Sequence, residues 1–180
     1  MKAILNSVMM SISSILLMTL LTLGITKLHA QETVQVAKQQ TVNSQQELID
    51  IFFAAAKTGN QEVINEFLKY GFPVNVRNSA GYTPLIMAAY YGHQDAVTIL
   101  LKYGANRCAR DNKGNTALMG AMFKLEWAIV KQLRQVDCDS NANQTGQKTA
   151  AEFAKVIGQE EKFKSLFHVV VIQYFVIFAR

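Results

Sequence analysis

Apolar positions in this chain cluster into short helical stretches broken by polar and glycine-marked turns, and the whole arrangement returns at a step of 33 residues. Thr83, Thr116 and Thr149 open equivalent stretches, the first of them Thr83-Pro84-Leu85-Ile86-Met87-Ala88-Ala89. Ala55-Ala56 and Ala88-Ala89 align at the same step, as do Gly59 with Gly92 and Lys69-Tyr70-Gly71 with Lys102-Tyr103-Gly104. A period of this length marks stacked repeats, each too small to bury its own apolar face. Within the second unit the threonine caps a helix whose first turn tolerates Pro84. Gly92 then supplies a left-handed turn. Ala96, Val97, Leu100 and Leu101 recur at helical spacing as the apolar face of a second helix, which ends at Gly104. The pattern predicts an all-α solenoid of about four helix-turn-helix units, at 46–78, 79–111, 112–144 and 145–168.

The third unit departs from its own rule. Leu125 stands where Gly59 and Gly92 stand, and Asp137 where Gly71 and Gly104 stand. A side chain at positive φ costs about 1 kcal/mol or more, so these turns are expected to be strained or reshaped. Arg134 also replaces the leucine matching Leu101.

Outside the repeats the patterning changes. Residues 1–30 run from a basic start at Lys2 through an apolar stretch from Ile15 to Ile25 to a small residue, Ala30. That is the order of a cleavable secretory signal, and the apolar run is short for a membrane span. Residues 31–45 are polar without an apolar period and read as a flexible linker. The last segment, 169–180, is apolar and β-branched where a capping unit should be polar. A strand, a docking segment and a tail altered by a frame change all fit it.

The 180 residues carry 18 basic and 13 acidic side chains. Loss of Lys2 and Lys27 with the signal leaves 16 basic against 13 acidic, a net +3. The basic residues are scattered, so no phosphate-tracking stripe is expected and nucleic acid is not a partner. The three histidines, His29, His93 and His168, form no triad or metal pattern with the cysteines. His93, after the first helix of its unit, reads as a hydrogen-bonding residue that steadies the turn.

Gly81-Tyr82-Thr83-Pro84-Leu85 with Ala88-Ala89 and Gly92-His93, followed by Leu100-Leu101-Lys102-Tyr103-Gly104-Ala105-Asn106, resembles the ankyrin repeat. The resemblance covers about Glu47 to Phe167. It implies antiparallel helix pairs with loops projecting to one side, and a partner protein held on the inner face of loop tips and first-helix ends. Carried over by position, that face holds Tyr82, Tyr90, Tyr91, Asn112, Lys113, Asn115, Phe123 and Lys124, with Trp127 nearby. Lys57, Thr58, Ser79, Ala80, Thr145, Lys148, Val156 and Ile157 extend it. Lys113 and Lys124 would set its charge preference.

The expected protein is therefore a non-enzymatic monomer, exported to the periplasm or secreted, without cofactor or metal and without a stable membrane span after signal cleavage. Its partner would be another protein. Small exported bacterial ankyrin proteins include some associated with catalase, so a haem or redox accessory role is an alternative, as is an inhibitor or immunity-type role. Cys108 and Cys138, the only cysteines, lie in successive loops offset by 30 rather than 33. A bridge needs Cα atoms within about 7 Å. Stacked helices sit about 10 Å apart, so a bridge and two separate thiols both stand.

Overall fold

A computed structural model of the protein describes residues 38–39, 41–140, 142 and 146–166. The expected signal segment and the apolar 169–180 tail lie outside the described residues. The chain divides into two units, 1–47 and 48–180. In the first, residues 38–39 and 41–47 are helical and exposed, so the described part of the 31–45 stretch is helix, while 31–37 and 40 lie outside the described residues. Gln is a good helix former, and Thr41 Oγ1 donates to the Lys38 carbonyl at 2.8 Å. The missing apolar period over these residues goes with their exposure.

The second unit contains paired helices. The pairs are α1 (48–58) with α2 (Gln61–Lys69), α3 (Pro84–Tyr90) with α4 (Gln94–Lys102), α5 (Ala117–Phe123) with α6 (Trp127–Leu133), and α7 (Ala150–Val156) with α8 (160–166). Helix α3 packs on α5 and α5 on α7, while α2 packs on α4 and α4 on α6. First helices thus form one row and second helices another. Among the described residues the one β-bridge joins Arg110 to Thr116 across a loop, so the all-α reading holds.

Each start signal acts as its chemistry requires. Thr83, Thr116 and Thr149 take extended backbone, and their hydroxyls accept from Ile86 N, Met119 N and Glu152 N. Thr149 and Glu152 complete a reciprocal capping box. The backbone hydrogen bond from Thr149, and then its hydroxyl, hold the Glu152 carboxyl below the usual glutamate range. The core is a ladder running through the stack: Phe52, Ile64, Leu85, Val97, Leu100, Met119, Met122, Ile129, Val130 and Leu133. Small Ala88, Ala89 and Ala121, all fully buried, let successive first helices approach.

Turn geometry follows the repeat even where its glycine is missing. Gly59, Gly92 and Gly158 have φ of 71°, 80° and 70°, and Leu125 between them is held at 62°. The neighbouring units impose the conformation, and Leu125 carries the steric cost. The second expected strain is relieved by reshaping. Asp137 does not adopt positive φ; instead α6 stops at Leu133, two residues short of the length of α2 and α4. Asp137 Oδ1 accepts from Asp139 N at 2.8 Å in the rebuilt loop.

Candidate protein-binding face

Tyr90 ends α3 and Tyr91 caps it; Phe123 ends α5 and Lys124 caps it. Stacking of α3 on α5 therefore brings four equivalent positions together. The Tyr90 and Phe123 rings stack at 6.3 Å with an 11° interplanar angle. Tyr91 meets Tyr90 edge-on at 5.3 Å. Two lysines close the row: Lys124 Nζ lies 5.2 Å from the Tyr90 ring centroid and Lys57 Nζ 5.5 Å from that of Tyr91. One step further, Val156 ends α7. Water reaches 42% of Tyr91, 56% of Phe123 and 69% of Val156. Rings left half in water with cations over their faces form an amphipathic surface of the kind that protein interfaces use.

Loop tips beside these helix ends are held by a side-chain framework. Asp111 is buried, and its Oδ1 accepts from the backbone of Lys113 and Asn115 at 2.9 and 2.8 Å. The Asn115 amide donates to both Asp111 oxygens. Asn112 Nδ2 donates to the Ser79 carbonyl at 2.9 Å and Asn112 N to Ala80 O at 3.1 Å. Adjacent loops are thus tied tip to tip, and the Lys113 side chain stays exposed at one of them.

Arg77 and Arg110 make the same inter-loop clamp one period apart. Arg77 donates to Gly81 O at 3.0 Å and to Arg110 O at 2.6 Å. Arg110 donates to Gly114 O at 2.7 Å and Lys148 O at 3.1 Å, and pairs with Asp139 at 3.5 Å. The disulfide Cys108–Cys138 spans the same pair of loops, with Cα atoms 5.1 Å apart. The loops lean together by the amount that stacked helices alone would not supply. His93 Nε2 reaches the Lys57 carbonyl at 2.8 Å, linking the turn of one unit to the preceding helix end. The same contact explains Gly59, where an added Cβ would sit 2.6 Å from His93 Nδ1.

Apart from Lys113, exposed at its loop tip, the residues predicted for the face separate into three groups. Tyr90, Tyr91, Phe123 and Lys124 come together as one surface, with Lys57 joining them. Asn112 and Asn115 spend their amides on the loop framework. Tyr82 and Trp127 are half-buried against the core, Trp127 at the first turn of α6. Sequence reasoning passed over the clamp of Arg77 and Arg110, although their separation is one full repeat. It also passed over Asp111, whose position at a turn between two asparagine-containing stretches is the available signal.

Comparison with curated proteins returns no match. The family model for ankyrin repeats, in three copies, matches residues 51–145, a little over half of the chain and the stretch that carries α1 to α6. With the capped helix pairs, the repeating clamp and that match, the chain belongs to the ankyrin repeat family.

Proposed function

We propose that the protein is an exported, monomeric adaptor that grips another protein through the row Lys57, Tyr91, Tyr90, Lys124, Phe123 and Val156, and performs no chemistry of its own. Ankyrin repeats generally mediate protein–protein interaction, and most members of the family are not enzymes. The observation that carries the site is the Tyr90–Phe123 stack under Lys124, with Phe123 exposed and Tyr90 half-buried. Two features support export: the order of residues 1–30, and the Cys108–Cys138 bridge, which needs an oxidising compartment to persist. No helix among the described residues is long and apolar enough to cross a membrane. A haem or redox role resting on Cys108 and Cys138 as thiol ligands loses its donors, because each sulfur is bonded to the other.

Capture of partners from the exported fraction, run beside a Tyr90→Ala/Tyr91→Ala variant of matched thermal stability, tests the reading. Loss of about 2 kcal/mol or more of binding in the variant is expected. Equal recovery by both forms refutes the site.

A further inference from the structure

The charges of the second unit are sorted by row. Second helices and their flanks carry both signs: Glu62, Glu66 and Lys69 on α2, Asp95 and Lys102 on α4, Glu126 and Lys131 at α6. The C-terminal ends of the first helices and the exposed side chains at the loop tips carry one sign. Lys57, Lys113, Lys124 and Lys148 are exposed there, and no carboxylate occupies the equivalent positions among the described residues of the second unit. Of the neighbouring acids, Asp111 is buried and saturated by the loop it holds, and Glu126, two residues after Lys124, lies against Gly92. Glu152 is tied into the cap of α7.

Resting on the adaptor reading above, we infer that the partner presents an extended acidic segment in which Asp or Glu alternates with bulky apolar residues. Lys57 and Lys124 are the reason for the charge. Their ammonium groups lie over Tyr91 and Tyr90, so each is positioned beside the aromatic surface before a partner arrives. A carboxylate reaching either one meets a cation already in place, and apolar neighbours of that carboxylate meet the rings. The stack is the reason for the extended form. Same-face side chains of an extended segment lie about 6.8 Å apart, two residues at about 3.4 Å each. The Tyr90 and Phe123 rings are 6.3 Å apart, so alternate side chains can address successive rings. A basic segment would meet unpaired lysines along the whole row, which disfavours it.

The test is selection of random twelve-residue peptides displayed on phage against the full chain, followed by affinity measurement with the synthetic peptides recovered. Enrichment of acids alternating with Leu, Phe or Tyr is expected. Affinity should fall about tenfold or more in Lys57→Glu/Lys124→Glu. Lys102→Glu/Lys131→Glu makes the same change in net charge on the second-helix row, and there affinity should hold. Equal losses in the two double variants would overturn the inference, since net charge alone would then explain binding. Neutral or basic peptides that still depend on Tyr90 and Tyr91 would also overturn it while leaving the adaptor face standing. Acidic peptides indifferent to Tyr90→Ala/Tyr91→Ala would remove the face itself. Failure to select any peptide, with Lys57- and Lys124-dependent binding to phosphatidylserine vesicles, would assign the row to a membrane and overturn the inference.

Discussion

Breaking the Cys108–Cys138 bridge should weaken the stack at its least regular unit. The bridge joins residues 30 apart, and closing a loop of that length removes unfolded-chain entropy worth about 3.6 kcal/mol at 25 °C. That is a large share of a domain stability of about 5–15 kcal/mol. Little of it should be returned by relaxation of the folded state, because Arg110 holds the same loops by donating to Cys138 O at 3.5 Å and pairing with Asp139. The third unit has few other reserves: α6 is short, its C-terminal glycine is absent, and Leu125 is strained. Urea unfolding of the oxidised chain, the reduced chain and Cys108→Ser/Cys138→Ser measures the difference. Trp127, the only tryptophan, starts α6 in the bridged region and reports locally by fluorescence. Reduced and double-variant proteins should agree with each other and lie about 3–4 kcal/mol below the oxidised form. A gap under about 1 kcal/mol would refute the loop-closure reasoning.

Three further outcomes follow from other contacts. Leu125→Gly should raise stability by about 0.5–1 kcal/mol in thermal unfolding, since left-handed backbone strain exceeds the entropy glycine adds to the unfolded chain; a loss would show that the Leu125 side chain contributes more than its exposure indicates. Arg110→Ala should cost about 3 kcal/mol in urea unfolding, because a mostly buried guanidinium is withdrawn from the Gly114 and Lys148 carbonyls and from Asp139, which keeps only Ala150 N, and Arg110→Lys should recover little because one ammonium cannot span two loops. Glu152 has its folded-state pKa lowered by Thr149, so its stabilisation is present above its unfolded pKa of about 4.3 and is lost as pH falls through the folded value. Stability of Glu152→Gln should therefore fall less steeply with acid than that of the parent, and parallel curves would remove the cap from the account.

Much of this fold is legible in the sequence because the repeat shows the same solution several times. Thr83, Thr116 and Thr149 could each be read as caps from their own neighbours, and the 33-residue step then placed Tyr90 beside Phe123. Local rules also marked Leu125 as a turn to be strained or reshaped, because Gly59 and Gly92 define the backbone at its position. What escaped depends on side chains reaching between units. Tyr82 and Trp127 sit at positions that face outward on average, and only the packing of particular neighbours draws them against the core. The clamp of Arg77 and Arg110 binds backbone carbonyls, which leave no mark in sequence. Cys108 and Cys138 were ambiguous for the same reason: the lean of their loops depends on Arg110 and a shortened α6, neither of which the repeat rule supplies. Over 38–39 and 41–45 the polarity marks the lack of a buried face and does not exclude a helix.

The most direct test of the aromatic row is site-specific photocrosslinking in the cell that produces the protein. Benzoylphenylalanine would replace Phe123, with Tyr103, exposed at the end of α4, as the control position. The account predicts a discrete protein adduct at 123, its loss on adding Tyr90→Ala/Tyr91→Ala, and none at 103. An adduct confined to 103, or one at 123 that survives the tyrosine substitutions, would contradict it.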